Sequence, residues 1–228
     1  MTIHLPFHDR IEAGRALAAR LQPWRDTDGL LVLGLPRGGV PVAFQLAQAL
    51  HAELDILLVR KLGSPNDPEL AMGAIASGGI RVMNPEVVLW AGIDDRAIER
   101  VVEREEEELE RRARLYRGRR GTPAIAGRKV MLVDDGMATG ATMRAALATL
   151  RAQEPAELVV AVPVAPPDTV ASLQQLADTV VCLATPDPFG AIARFYQHFP
   201  QVSDEEVIAT LARAWQGPRA EAAAPVPA

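Results

Sequence analysis

With 228 residues, 49% of them hydrophobic, the chain can bury one substantial core, a single domain with a small appendage, and a two-domain enzyme is not required. A formal net charge of −5 and 4% aromatic residues argue against a general nucleic-acid binder, and a single cysteine, Cys182, excludes an intrachain disulfide. No charged segment followed by an apolar stretch opens the chain, and no apolar run approaches the roughly 18 to 20 residues that span a bilayer, so a cytoplasmic protein with no membrane partner is expected.

In chain order, Asp9 and Glu12 read as a capping pair for a first helix carrying Ile11, Leu17, Ala18 and Leu21 on one face. An apolar strand at 30–34 ends in Gly34-Leu35-Pro36-Arg37-Gly38-Gly39, and a helix follows with Pro41 in its first turn and Phe44, Ala47 and Leu50 facing inward. Strand, Gly-rich turn and helix in this order suit an anion: Arg37 supplies a planar cation, and Gly38 and Gly39 admit close backbone approach. The glycines fit neither GxGxxG nor GxxxxGK, so dinucleotide and P-loop readings fall away.

A strand at 54–59 leads to Arg60-Lys61-Leu62-Gly63-Ser64-Pro65-Asn66-Asp67-Pro68, where Gly, Ser, Asn and two prolines predict a loop. Arg60 and Lys61 are either anion contacts or exposed charges at a strand end. Strands at 72–77 and 80–83 flank Gly78-Gly79, which reads as a two-residue hairpin turn and a local antiparallel excursion. In 94–117, Ile98, Val102, Leu109, Ala113 and Tyr116 share a helical face, while Glu107, Glu108 and Glu110 each precede an arginine by four residues, the pattern of a solvated helix. A cationic stretch follows: Arg117, Gly118, Arg119, Arg120 and Gly121. Further strands fall at 129–134, 158–163 and 179–184, with Cys182 read as a buried core thiol. Strands alternating with helices imply an α/β fold, a doubly wound, mainly parallel sheet whose carboxyl-end loops gather at one edge. Residues 217–228 are Ala, Pro and charge without periodicity and read as a disordered tail.

The most informative stretch is 130–142, VMLVDDGMATGAT. An apolar run ends in Asp134 and Asp135, and a turn of small residues then opens an amphipathic helix at 141–152. Small residues, the hydroxyls of Thr139 and Thr142 and the free N–H groups of a helix start form a phosphate cradle. A helix cap needs one acceptor and no second acid. Two acids beside a phosphate site repel it unless they face hydroxyls or a divalent cation, so the ligand combines phosphate, polyol and Mg2+.

This string resembles the 5-phosphoribosyl-1-pyrophosphate (PRPP) signature of type I phosphoribosyltransferases, and 34–39 resembles their pyrophosphate loop. The resemblance covers most of 30–185. It implies that Asp134 and Asp135 hold the ribose 2′ and 3′ hydroxyls and, through ligand or water, a Mg2+ ion. It assigns the 5′-phosphate to Gly136, Met137, Ala138, Thr139, Gly140, Ala141 and Thr142, and pyrophosphate to Pro36, Arg37, Gly38, Gly39, Arg60 and Lys61. It also implies a non-proline cis peptide between Pro36 and Arg37, and a mobile lid at 116–121. One domain is expected at 1–216, with its core at about 25–185 and a small hood or helical part at about 185–216.

The activity implied is displacement of pyrophosphate from PRPP by a nitrogenous base, with Asp134, Asp135 and Arg37 catalytic, in nucleotide salvage, by a homo-oligomer, a dimer. Ala138 stands where enzymes acting on 6-oxopurines usually carry an acid, which makes the loop look more like those of adenine or uracil enzymes. Pro186-Asp187-Pro188-Phe189 with Arg194, Phe195 and Tyr196 resembles instead the hood of oxopurine enzymes, with Phe189 stacking on the base or else anchoring the C-terminal part to the core. A purine or pyrimidine base is the expected acceptor. The alternatives are a catalytically silent PRPP-sensing regulator and a structural subunit docking through the charged helix.

Overall fold

The computed structural model describes residues 3–68 and 70–216, so the tail expected at 217–228 lies outside the described residues. Helix α1 (Arg10–Arg20) starts where the Asp9 carboxylate accepts from the Glu12 N–H at 2.9 Å, satisfying one of the orphan donors of the first turn. Ala13, Leu17, Ala18 and Leu21 face inward, while Ile11 stays half-exposed. The chain continues through β1 (Leu31–Gly34), α2 (Gly39–Leu50), β2 (Glu53–Ile56), β3 (Val59–Gly63), β4 (Ala71–Ala76), β5 (Ile80–Met83), α3 (Pro85–Trp90) and α4 (Asp95–Arg117). It ends with β6 (Lys129–Val133), α5 (Ala141–Arg151), β7 (Glu157–Val164), α6 (Pro167–Leu173), β8 (Thr179–Ala184) and α7 (Asp204–Trp215).

Five strands form a parallel sheet in the order β2-β1-β6-β7-β8. Its strands are apolar on both faces because both faces are covered. Val32, Met131, Val133 and Val159 pack with Leu17, Val42 and Leu46 of α1 and α2. Leu31, Leu33, Val130 and Val160 pack with Met143, Leu147 and Leu150 of α5. The doubly wound α/β sheet expected from the sequence is present.

Strands β3, β4 and β5 form a separate antiparallel sheet. The strand expected at 54–59 therefore divides: β2 ends at Ile56 and β3 begins at Val59. Hydropathy does not mark the break, because Leu57 and Leu58 between them are also buried. Arg60 and Lys61, expected at a strand end, lie inside β3, which also takes in Leu62 and Gly63 of the expected loop. Ala76 pairs with Ile80, which leaves Ser77, Gly78 and Gly79 as a three-residue connection, with Gly78 at φ 93° and Gly79 at φ 76°. Ser77 belongs to the turn because its N–H is directed to the Leu58 carbonyl at 3.0 Å.

Helix α4 is only partly the solvated helix expected. Glu108 pairs with Arg111 and Arg112, and Glu110 with Arg114, on the exposed side; the two arginines hold the Glu108 carboxyl down at about 2. Glu105 and Arg117, however, are buried. Arg117 Nε donates to Asp55 Oδ1 at 2.8 Å, and Tyr116 is 4% exposed, so the first two residues of the expected lid are the fixed end of a helix. Gly118 caps it at φ 58°.

The C-terminal part also divides. Helix α7, with a Ser203–Glu206 capping box, packs against α2, α4 and β2, and Trp215 Nε1 donates to the Leu54 carbonyl at 3.0 Å. It buttresses one edge of the sheet; the segment before it serves the other end. Cys182 is half-buried, because β8 is the outer strand, and burial pushes its thiol up to about 11. Among the described residues no helix is long and apolar enough to cross a membrane.

Candidate active site

From the central pair β1 and β6 the chain winds outward both ways, to β2 on one side and to β7 and β8 on the other. Gly34 is in register with Val133, so the turns after these two strands leave the sheet side by side. In an open parallel sheet such a reversal is where loops part and ligands enter. The two Gly-rich stretches singled out in the sequence are these turns.

They are tied together. Leu35 N–H donates to the Val133 carbonyl at 2.9 Å. A Cβ on Gly38 would stand 2.1 Å from Asp135 Oδ2, and one on Gly39 2.7 Å from the Val133 carbonyl oxygen, so both positions require glycine because the turns approach closely. The Pro36–Arg37 peptide is cis. Arg37 is half-exposed, with Nη1 3.6 Å from Asp204 Oδ1 at the start of α7. The same carboxylate oxygen accepts from the Tyr116 hydroxyl at 2.6 Å, which holds Asp204 below the usual carboxylate range.

At the end of β6, Asp134 Oδ1 accepts from the Asp135 N–H at 2.9 Å. Asp135 Oδ2 accepts from Arg10 Nε at 2.7 Å, and the Asp135 carbonyl accepts from the Tyr196 hydroxyl at 2.6 Å. Burial first, and then the neighbouring Asp135 charge, raises the Asp134 carboxyl well above its ordinary range. Burial also raises Asp135, opposed by its bond to Arg10. Both carboxyls are thus pushed up, Asp134 the more strongly. Among the described residues no group of three or more His, Cys, Asp or Glu could hold a metal ion. Two acids offer part of a coordination shell and suit a cation whose other ligands arrive with a phosphorylated substrate.

The turn from Gly136 to Gly140 leads into α5. A Cβ on Gly136 would meet Ile192 Cγ2 at 2.7 Å; Gly140, at φ 69°, has no room for one beside Thr169 Cγ2 at 2.8 Å. Thr169 Oγ1 donates to the Ala138 carbonyl at 2.8 Å. Helix α5 has no N-cap side-chain bond and no acid in its first turn; Ala138, Thr139, Ala141 and Thr142 are exposed there, with the Ala141 N–H directed to the Thr139 hydroxyl at 3.4 Å, at a positive helix end. Arg144 adds a cation: its Nη1 lies 3.3 Å from where a Gly140 Cβ would be.

The sequence model of the phosphoribosyl transferase domain matches residues 9–196 of this chain. The chain belongs to that family. The curated relatives named "Putative phosphoribosyl transferase Rv0571c" and "Putative phosphoribosyl transferase MT0597", from two strains of Mycobacterium tuberculosis, are each 50% identical to it over 208 residues, 91% of this chain and 47% of theirs. The chain thus spans about half the length of the curated relatives it matches. The crystal structure of TT1426 from Thermus thermophilus superposes with a TM-score of 0.85 at 45% identity, covering 93% of this chain and all of that one.

Within this phosphoribosyl transferase domain, Pro36 to Gly39 and Asp134 to Thr142 are brought to one place, but three of the expected site residues are differently used. Met137 is a core side chain, 3% exposed, and its N–H is spent on the Val164 carbonyl, so it contributes neither to the cradle. Arg60, carried on the antiparallel sheet, donates to Glu105 Oε2 at 2.7 Å, and this partner on α4 accounts for its charge; Lys61 is half-exposed on the same strand. Phe189 is 8% exposed, its ring 4.9 Å from Phe195 in a cluster with Phe7 and Tyr196. Buried in this cluster, it packs the segment before α7 against the core, the second of the two roles open to it. Sequence reading missed Arg10 and Asp204. Both belong to ordinary helix starts, and no local signal announces that either reaches a loop more than a hundred residues away.

Proposed function

We propose that the chain is a Mg2+-dependent phosphoribosyltransferase that moves the 5-phosphoribosyl group of PRPP to a nitrogenous base, a purine or a pyrimidine, and releases pyrophosphate. The observation that carries this reading is the close approach of Gly38 to Asp135 at the β1–β6 switch point, which supports a pyrophosphate-type loop and a PRPP-type loop serving one ligand. Asp134 and Asp135 accept from the ribose hydroxyls. The exposed backbone and threonines of 138–142 hold the 5′-phosphate. Arg37 and the backbone of Gly38 hold the pyrophosphate as it leaves with the electrons of its bond to the anomeric carbon, while the base nitrogen forms the new bond with its lone pair and gives up its N–H proton to the departing pyrophosphate or to solvent; the Gly39 N–H is already donated to the Leu35 carbonyl at 3.0 Å. Bound Mg2+ would supply charge neutralisation on the departing pyrophosphate.

In this reading residues 1–216 act as one domain of a cytoplasmic homodimer in nucleotide salvage. Ala138 leaves the base without an acid from the PRPP loop. The test is pyrophosphate release from PRPP and Mg2+, scanned over purine, pyrimidine and other amine acceptors. Release with one acceptor supports the transferase and names its substrate; PRPP binding with no release across the panel turns the reading to a PRPP-sensing regulator. Arg144→Ala is expected to weaken binding of ribose 5-phosphate about tenfold, roughly 1.4 kcal/mol, by removing the cation over the cradle, and calorimetric titration checks it.

A further inference from the structure

We infer that Arg10 is a positioning residue of the ribose site, holding the Asp135 carboxylate in the orientation that receives a sugar hydroxyl. The inference rests on the proposed reading of the site as one for PRPP. Arg10 opens α1, directly after the Asp9 cap. Its Nε donates to Asp135 Oδ2 at 2.7 Å, its Nη1 to the Pro200 carbonyl at 2.8 Å, and its guanidinium lies 3.7 Å from the centre of the Phe199 ring. Phe199 in turn stacks on Tyr196 at 4.6 Å, and the Tyr196 hydroxyl holds the Asp135 carbonyl. Both side chains of the Arg10–Asp135 pair are 10% exposed.

The arrangement immobilises Asp135 from two directions. Oδ2 accepts from Arg10 and lies where a side chain on Gly38 would stand, 2.1 Å from the position of its Cβ, which leaves Oδ1 as the oxygen not engaged by Arg10. A carboxylate fixed before the ligand arrives does not have to be ordered by the ligand, and that saving appears as affinity. Only a planar fork with several donors can serve Asp135, Pro200 and a ring face at once; a lysine ammonium supplies the charge without the geometry. Asp135 would meet the sugar hydroxyl before and during reaction alike, so losing its orientation weakens PRPP binding itself.

The experiment is calorimetric titration of PRPP, in buffer containing Mg2+, into the wild-type chain and the variants Arg10→Gln, Arg10→Lys, Asp135→Asn, Phe199→Leu and Arg10→Gln/Asp135→Asn. Arg10→Gln is expected to raise Kd at least tenfold with stoichiometry unchanged, Arg10→Lys to fall between it and wild type, and Phe199→Leu to raise Kd two- to fivefold. In the Asp135→Asn background Arg10→Gln is expected to add less than twofold, because the residue acts through that carboxylate. A merely structural role would lower the binding-competent fraction, and so the stoichiometry, at unchanged Kd; that result, or full additivity of the double variant, overturns the inference. If Arg10→Gln does not fold, an unchanged Kd in Phe199→Leu overturns it. Wild-type chain that does not bind PRPP overturns the proposed function and this inference together, whereas binding unaffected by Arg10→Gln overturns this inference alone.

Discussion

Replacing Asp134 and Asp135 together by Asn is expected to reduce pyrophosphate release by about 10²- to 10⁴-fold. In the proposed reading each carboxylate accepts a charge-assisted hydrogen bond from the sugar, worth about 1.5 to 3 kcal/mol, and each 1.36 kcal/mol is tenfold in rate. Undiminished release in the double variant would sink the role of the acids. The single variants should separate in stability, because the two acids are held differently. Asp134→Asn removes a carboxyl that burial and the Asp135 charge already push towards its neutral form, and is expected to leave the fold as stable or more so. Asp135→Asn removes the partner of a buried guanidinium and is expected to lower the melting temperature.

The pH dependence follows from the same shift. An acid with a raised pKa keeps in the folded state a proton that the unfolded chain releases, so its stabilising effect is complete below the unfolded pKa and is lost as pH rises through the folded one. Other carboxyls, such as Asp9 and Glu105, are held low and give the opposite slope, so the difference between variant and wild type is the informative quantity. The melting temperature of Asp134→Asn relative to wild type is expected to climb as pH rises from about 4, the ordinary carboxylate range. A difference that stays flat with pH would mean that Asp134 is not raised.

What the sequence made legible is what is local. A strand, its following turn and the next helix are consecutive in the chain, so both Gly-rich turns, the Asp9 cap and the β4–β5 hairpin could be read from neighbours in sequence. The division of 54–59 could not, because burial runs unbroken through Leu57 and Leu58 while the direction of hydrogen bonding changes. Glu105 and Arg117 looked like any other charges of α4; the acid on β2 and the arginine on β3 that bury them belong to elements far away in the chain. Phe189 carried the same sequence signal for stacking as for anchoring, and only the position of Phe195 decides between them. The site repeats this contrast: Asp134 and Asp135 were evident from their own turn, whereas Arg10 and Asp204, which orient Asp135 and hold Arg37, depend on how the chain ends fold over it.

The largest loss of stability is expected from Arg117→Ala. Asp55 is completely buried in β2, and Arg117 supplies its closest charge, while Arg117 also donates to the Ile56 carbonyl and, at 3.4 Å, to Ser77 Oγ. Asp55 Oδ2 has no hydrogen-bond partner even in the intact protein, and the next guanidinium, Arg120, stands 4.0 Å from it. Burial accordingly raises the Asp55 carboxyl, and Arg117 is the main force against it. Removing one member of such a pair costs about 3 to 5 kcal/mol, which at about 2 to 4 °C per kcal/mol for a chain of this size lowers the melting temperature by about 6 to 20 °C. Replacing both, as Asp55→Leu/Arg117→Met, is expected to recover at least half of that loss, since two apolar side chains leave no charge stranded. Thermal unfolding of the three variants checks it, and a double variant no better than Arg117→Ala would show that the hydrogen bonds to Ile56 and Ser77, not the charge pair, carry the effect. The pair also ties the last residue of α4 to β2, just before the irregular stretch at 118–128 that leads to β6. Pyrophosphate release by the repaired double variant at a temperature where it is folded is therefore expected to remain near wild type: anchoring that stretch requires a filled junction between α4, β2 and the turn after β4, and a charge is one way of filling it.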